Sequence, residues 1–209
     1  MKELKLPYYN GTLPLHVEES NLEAVLTAKI HSYTPPEDEV ALVRSALAHP
    51  IGTKPLCELA QGKRKVVIVT SDHTRAVPSK ITLPLLLAEI RKGSPEAEIT
   101  ILIATGLHRA PTREEQLNMF GADIVEHETI VANDAFRKED FVLMGTLPSG
   151  AGFEVNRLAA ECDLLLTEGF IEPHFFAGFS GGRKSILPGI CSQDTVNENH
   201  SFQAIASPY

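Results

Sequence analysis

The sequence predicts an α/β fold, a parallel or mixed sheet flanked by helices, with a short antiparallel element at the N-terminus. Two apolar runs rich in β-branched residues, Lys65–Thr70 (KVVIVT) and Glu98–Ala104 (EITILIA), predict buried strands. Between them, leucines and an isoleucine recur at helical spacing over residues 83–90. This strand, helix, strand order favours a parallel sheet covered by helices, in a Rossmann-like arrangement.

The first elements follow in chain order. The first 35 residues predict a short antiparallel pair, and a helix is predicted over Glu37–Ala48. Because a proline fits only the first turn of a helix, Pro84 predicts that the central helix begins near Thr82 and ends at Gly93.

The second half of the chain continues the alternation. A helix is predicted from Thr112 to a stop at Gly121, and another over Asn156–Glu161. Three further strands are predicted, the second of them a candidate edge strand: Ile124–Glu128, Phe141–Gly145 and Asp163–Thr167.

Composition restricts the class of protein. The chain has 209 residues, 43% hydrophobic and 22% charged, which predicts one globular domain over residues 1–209. The formal net charge of −8 disfavours a nucleic-acid partner. Cys57, Cys162 and Cys191 are few and far apart, which disfavours a disulfide framework. Neither a signal peptide nor a membrane-spanning run is recognisable, so we expect a cytoplasmic protein without a membrane partner.

Unusual residues follow three of the predicted strands. SDHTRAVPS, TGLHRAPT and EGFIEPHFFAGFSGGRKS come directly after the strands that end near residues 70, 104 and 167. Ligands of open parallel sheets gather at the carboxyl ends of the strands. The three loops are therefore expected to form one functional rim.

The first two loops offer a phosphate site and an acid–base group. Asp72, Thr74 and Arg75 combine a carboxylate, a hydroxyl and a cation that could hold a phosphate near a helix start. The alternative is a polar turn in which Asp72 and Arg75 pair with each other. His108 is a candidate general acid or base, or else a solvated loop histidine.

The third loop carries the densest pattern. His174 precedes Phe175–Phe176, which could form an apolar wall. Three glycines, at 178, 181 and 182, then precede Arg183, Lys184 and Ser185, which resembles a P-loop but has Arg183 in place of its second glycine. Since the run also lies far beyond the end of its strand, an NTPase is disfavoured. Lys184 is either a nucleophile or covalent anchor, or else a simple phosphate contact or a surface charge.

These segments together resemble the nickel-pincer lactate racemase family. The residues that carry the resemblance are SDHTR at 71–75, TGLHR at 105–109, EPHFFAGFSGGRKSILPGI at 172–190 and NH at 199–200. The resemblance covers nearly the whole chain and is most specific over 172–190. Members of the family have a second domain of similar size, so we expect a C-terminal domain that is absent from this chain.

The resemblance implies a cofactor, the nickel-pincer nucleotide, which is a Ni(II)-pyridinium-3-thioamide-5-thiocarboxylate mononucleotide. Lys184 matches the lysine that joins it covalently, and His200 matches the histidine that ligates nickel. A near-planar site with soft donors and one imidazole suits Ni(II). In the family, one loop holds the mononucleotide. Four residues of this sequence match that loop: Asp72, His73, Thr74 and Arg75.

His108 and His174 match the two catalytic histidines of the family. The implied reaction is racemisation of a small 2-hydroxy acid, most readily lactate, by hydride transfer to and from the pincer ring. One histidine removes the hydroxyl proton while the Cα hydride moves to the ring. The planar 2-oxo acid then takes the hydride back on its other face, and the second histidine returns the proton to the alkoxide. Enzymes that build the cofactor are the implied protein partners.

Three alternatives come from other classes. One is a phosphate-transferring or phosphate-ester-cleaving enzyme that uses the glycine run, with Asp72 as its magnesium ligand. Another is a nucleotide sensor, which would need neither His108 nor His174. The third is a carrier for the nickel cofactor, which would need only Lys184 and His200.

Overall fold

The structure, a computed structural model, describes residues 1–207 apart from the side chain of residue 31. Contacts divide the chain into two compact units, Met1–Asp38 and a larger unit that begins at Glu39. The predicted single domain over residues 1–209 includes two residues outside the described part and stays a prediction.

The first unit contains the antiparallel pair predicted for the N-terminus. Strand β1 (Lys2–Tyr8) pairs with β2 (Gly11–Val17) in a register that runs from Lys2 opposite Val17 to Tyr8 opposite Gly11. Two short 3₁₀ turns, Glu19–Asn21 and Lys29–Ser32, follow.

The larger unit alternates strands and helices. Its strands are β3 (Lys65–Ser71), β4 (Glu98–Ala104), β5 (Thr129–Ala132), β6 (Phe141–Thr146), β7 (Gly152–Asn156), β8 (Leu164–Thr167), β9 (Pro173–His174) and β10 (Gly178–Phe179). Its helices are α1 (Glu39–Ala48), α2 (Leu56–Leu59), α3 (Ser79–Gly93), α4 (Arg113–Phe120), α5 (Ala122–His127), α6 (Arg157–Ala160), α7 (Gln193–Asn199) and α8 (Phe202–Ala206).

A parallel four-stranded sheet in the order β5-β4-β3-β8 forms the centre of this unit. Strand β3 is buried on both faces. Val66 and Ile68 pack in a cluster with Leu83 and other helix residues, while Val67 and Val69 pack in a second cluster. A strand covered on both sides needs apolar residues throughout, which explains the uninterrupted run KVVIVT. The predicted α/β class is confirmed.

The start of α3 differs from its prediction. The helix begins at Ser79, and Pro84 lies within it rather than in its first turn. Because a proline has no N–H, Pro84 cannot donate to the carbonyl of Lys80. The buried face that includes Leu83 and Leu87 offsets this loss.

The predicted end of α3 at Gly93 is confirmed. A Cβ atom on Gly93 would lie 2.0 Å from the carbonyl oxygen of Cys57. The glycine therefore permits the close approach of α2 and α3. Helix α2 itself was not predicted.

The predicted strand over Ile124–Glu128 is wrong, because its first four residues belong to α5 and Glu128 is the C-cap of that helix. Ile124 and Val125 are adjacent and both buried in the same cluster, as in a helix and unlike a strand that alternates its faces. The strand that completes the sheet, β5, begins only at Thr129.

The predicted strand at Phe141–Gly145 is confirmed as β6, but it lies in a separate antiparallel pair with β7. Strand β7 was not predicted. The pair stands outside the parallel sheet, and its register shifts between Leu143 and Gly145. In the described part of the chain, no helix has the length and apolar character required to traverse a bilayer.

Candidate active site

The loops that follow β3, β4 and β8 line one cavity of about 420 Å³. The segment from the 3₁₀ turn Gly182–Ser185 to the end of α7 completes its wall. The structure thus brings together most of the residues singled out in the sequence: Asp72, Arg75, His108, His174, Lys184 and His200. His73 and Thr74 are not among the residues that line the cavity.

Asp72 is the buried anchor of the first loop, with an exposed fraction of 2%. Its Oδ1 accepts hydrogen bonds from the Thr74 backbone N–H (3.0 Å) and hydroxyl (2.6 Å). Arg75 donates to the Thr74 hydroxyl oxygen at 3.0 Å. The polar-turn alternative required a pair between Asp72 and Arg75. Asp72 is instead hydrogen-bonded to Thr74.

His73 points away from the cavity, toward α4. Its Nε2 lies 3.9 Å from Oε1 of Glu115, and its Nδ1 is buried without a hydrogen-bond partner among the described residues. Glu115 accepts a bidentate pair of bonds from Arg109 (2.6 and 2.7 Å) and one from the Thr112 N–H. These bonds lower the pKa of Glu115 to about 2. Glu115 therefore ties the loop after β4 to α4.

His108 reaches the cavity from the loop after β4, and its side chain is 51% exposed. Its Nδ1 lies 2.7 Å from Oδ2 of Asp72. The loop is held by a bond from the Gly106 N–H to the Gly189 carbonyl and by one from the Thr105 hydroxyl to the Asn133 carbonyl. These anchors fix the position of the imidazole.

His174 lies in the hairpin of β9 and β10, where it pairs with Gly178. Its Nδ1 accepts a hydrogen bond from the Ala177 N–H at 3.3 Å. Desolvation, then the positive charges of Lys184 and Arg75, lower the pKa of His174. The neutral imidazole is therefore favoured.

Only one of the two predicted aromatic wall residues faces the cavity. Phe176 lines it, whereas Phe175 is 94% exposed. The Phe176 ring lies edge-on to the rings of both His174 (centroids 4.6 Å apart) and His200 (5.7 Å).

Lys184 is placed by a tight backbone turn. Gly181 has a φ of 78°, and a Cβ atom there would lie 2.6 Å from the Phe170 carbonyl oxygen. Only glycine fits this close, left-handed position. Desolvation, and secondarily the charge of Arg75, lower the pKa of Lys184, which makes a neutral, nucleophilic amine easier to reach.

The glycine run does not form a P-loop. It begins inside the β9–β10 hairpin, where Gly178 pairs with His174, and it leads into the single 3₁₀ turn Gly182–Ser185, whereas a P-loop joins a strand directly to a helix. The geometry agrees with the sequence in disfavouring an NTPase.

His200 ends α7 beside the cavity. Its Nδ1 lies 2.9 Å from the Val196 carbonyl oxygen, which can only accept, so Nδ1 carries the proton and Nε2 keeps a free lone pair. Metal-binding histidines are commonly oriented in this way. Among the described residues there is no group of three or more potential metal ligands from the chain. A metal held at His200 would therefore need further donors from outside the described residues.

Glu168, at the carboxyl end of β8, was missed in the sequence. It is 6% exposed and accepts a hydrogen bond from the Thr82 hydroxyl. An acidic residue directly after the apolar run LLLT was the available signal.

Comparison with known protein families supports one assignment. The family described as lactate racemase N-terminal domain matches residues 8–209. Lactate racemase from Thermoanaerobacterium thermosaccharolyticum is 52% identical over 209 residues, and lactate racemase from Lactiplantibacillus plantarum is 47% identical over 208. Each alignment covers 100% of this chain and 49% of the relative, so the chain spans about half the length of these curated relatives.

Two solved structures are similar to this chain in fold. The lactate racemase apoprotein from T. thermosaccharolyticum superposes with a TM-score of 0.90 at 50% identity, over 100% of this chain and 48% of that one. A protein from Thermotoga maritima superposes with a TM-score of 0.64 at 25% identity, over 80% of this chain and 41% of that one.

Proposed function

The chain belongs to the lactate racemase N-terminal domain family, and we propose that it contributes the acid–base and cofactor-binding half of an enzyme that racemises a small 2-hydroxy acid, most readily lactate. The observation that carries the proposal is the single cavity lined by His108, His174, Lys184 and His200. An amine, an imidazole with a free lone pair and two further imidazoles face one space of small-molecule size.

The proposed cofactor is the nickel-pincer nucleotide, and the residues present fit it. Lys184, whose pKa is lowered, would carry the covalent link, and Nε2 of His200 would ligate nickel. Arg75, a cation that lines the same cavity, would bind the phosphate. When bound, this cofactor supplies reversible acceptance of the hydride on the substrate Cα.

The chain's own residues then handle the proton. One histidine of the pair His108 and His174 takes the hydroxyl proton of the substrate as a neutral base. The other, after it has taken up a proton from solvent, returns that proton to the oxygen once the planar 2-oxo acid has turned its other face. Two bases are needed because the two enantiomers present their hydroxyl groups on different sides. Each base is expected to contribute a factor of about 10²–10⁴ in rate.

A second domain, which the length of the relatives suggests, is proposed to supply the remaining substrate contacts. Phe176 would face the substrate side chain, which suits a small apolar group. Of the other functions considered, a cofactor carrier needs no acid–base pair, whereas both histidines line the cavity here.

The proposal is tested with the protein produced alongside the cofactor-building enzymes. We expect stoichiometric nickel, a mass adduct on the peptide that contains Lys184, and formation of D-lactate from L-lactate. His108→Ala and His174→Ala should each lower kcat by about 10²–10⁴-fold. His127→Ala, an exposed histidine bonded within α5, is the matched control and should keep full activity. Unchanged racemisation in either cavity variant would overturn the acid–base assignment.

A further inference from the structure

Of the two proposed acid–base histidines, His108 and His174, only His108 has a buried carboxylate hydrogen-bonded to it among the described residues. Asp72 is 2% exposed, and its Oδ2 lies 2.7 Å from Nδ1 of His108. Its other oxygen, Oδ1, already accepts two hydrogen bonds from Thr74. Both carboxylate oxygens are thus engaged inside the protein, which leaves Asp72 poorly suited to contact an anionic phosphate.

This contact determines where the proton of His108 resides. A carboxylate can only accept hydrogen bonds, so Nδ1 of His108 must donate and carry the proton. The neutral ring then keeps its lone pair on Nε2. When Nε2 accepts a proton, the adjacent carboxylate stabilises the imidazolium without accepting the proton itself.

His174 is held in the opposite tautomer. Its Nδ1 accepts the Ala177 N–H, so the neutral ring carries its proton on Nε2. For His174 to accept a proton at Nε2, its ring proton would have to move to Nδ1, and the contact with Ala177 would be lost. The two imidazoles are therefore presented in complementary states, one with a lone pair and one with an N–H.

We propose that Asp72 is a positioning residue that fixes His108 as the proton acceptor of the cavity, while the Ala177 amide fixes His174 as a hydrogen-bond donor. The inference rests on the proposed function, since it assigns distinct starting roles to the two acid–base groups. Its geometric part, the tautomer of each ring, belongs to the chain alone and can be measured without cofactor or activity.

The test is long-range ¹H–¹⁵N NMR on cofactor-free protein with ¹⁵N-labelled histidine, with His108→Gln and His174→Gln used to assign the signals. We expect the Nδ1–H form for His108 and the Nε2–H form for His174. Asp72→Asn should reverse the His108 tautomer. The two Thr74 donors hold the side-chain oxygen, so the new amide NH₂ faces Nδ1 as a donor. The matched control is Asp134→Asn, another turn carboxylate bonded two residues ahead, which should leave both rings unchanged.

In the cofactor-loaded enzyme, Asp72→Asn should lower kcat by about 10²–10⁴-fold with a much smaller change in KM. An Nε2–H form of His108 in the parent protein would overturn the inference, even if the variant failed to fold. A reversed tautomer with parental kcat would overturn it too. Correct tautomers in a loaded protein that does not racemise lactate would instead count against the proposed function and leave the positioning role intact.

Discussion

Glu168 is a buried carboxyl group at the carboxyl end of β8, on the rim-forming edge of the sheet. It is bonded to the Thr82 hydroxyl and lies beside Thr70 and Ser79, and its Oε2 has no hydrogen-bond partner among the described residues. Burial raises the pKa of Glu168, and the three hydroxyl groups offset this only in part. The group is therefore a source of pH-dependent stability.

The sign of that dependence follows from linkage. A carboxyl group with a raised pKa in the folded state contributes fully below its unfolded pKa of about 4.3, and its contribution is lost as the pH rises through the folded value. Glu168→Gln keeps the shape of the side chain without its charge. At pH 8 its free energy of unfolding should therefore be about 1 kcal/mol higher than that of the parent, so the variant is more stable. The advantage should vanish at pH 4.

Urea unfolding at both pH values measures this difference. Glu161→Gln, an exposed residue paired with Arg157, is the control and should show little change at either pH. A variant that is less stable than the parent at pH 8 would mean that the charged form is the stabilising one.

The residue types of the site were predictable, but their pairings were not. Asp72 was recognised from its place after an apolar strand, yet its partner His108 lies 36 positions away on a neighbouring loop. No local spacing links the two. Glu168 was missed for a similar reason, because its hydroxyl partner Thr82 comes from a helix 86 residues earlier.

At the level of elements, α4 depends on its first turn. Thr112 caps the helix by accepting the Glu115 N–H at 3.2 Å, and the Glu115 carboxylate accepts the Thr112 N–H at 2.7 Å in return. The same carboxylate holds Arg109, next to His108. The cap thus stabilises both the helix and the base of the loop that carries His108.

Removal of the cap should destabilise the protein measurably. Thr112→Ala is expected to lower the free energy of unfolding by about 1 kcal/mol, because one backbone N–H loses its partner. Thr112→Ser keeps the hydroxyl and should stay within a few tenths of a kcal/mol of the parent in urea unfolding. Equal losses in the two variants would assign the effect to the methyl group instead of the cap.

Elements with strong local signals were predicted with good bounds, as β4 and α4 show. Secondary-structure predictions were wrong where tertiary packing outweighs the local propensity of the residues. Helix α3 begins earlier than predicted, at the buried Ser79, so that Pro84 lies inside the helix. The shared burial of Ile124 and Val125 favours a helix over a strand. Strand β7 depends on pairing with β6, which no local pattern reveals.

At the scale of the whole molecule, stability is unevenly distributed within the larger unit. Strand β3 is hydrogen-bonded on both sides and buried on both faces, whereas β6 is largely exposed and paired only with β7. Local opening needs less free energy where little apolar surface is buried.

Hydrogen exchange followed by mass spectrometry should therefore give its slowest amides in β3 and β4, with those of β6 and β7 exchanging at least tenfold faster after correction for intrinsic rates. Peptides from α3, which packs on the sheet, provide an internal reference of intermediate protection. Equal protection of β6 and β3 would indicate a single cooperative unit.

The site was predictable at this scale because of a general property of parallel sheets. Three loops that follow strands of one sheet must open at the same edge, and the cavity lies there. The contribution of the segment after residue 182 was not predictable from that rule, since its approach depends on the turn at Gly181.

The position of the cavity lining relative to the strands affects how such a protein can change over generations. The parallel strands bury most of their side chains in the two apolar clusters, and most of the cavity lining lies at or beyond the strand ends. The residues that form the core and those that line the cavity are therefore largely different. Substitutions at cavity-lining positions such as Phe176 or Leu107 change the cavity without altering a residue of β3, so the cavity can diversify over generations while the scaffold is inherited intact.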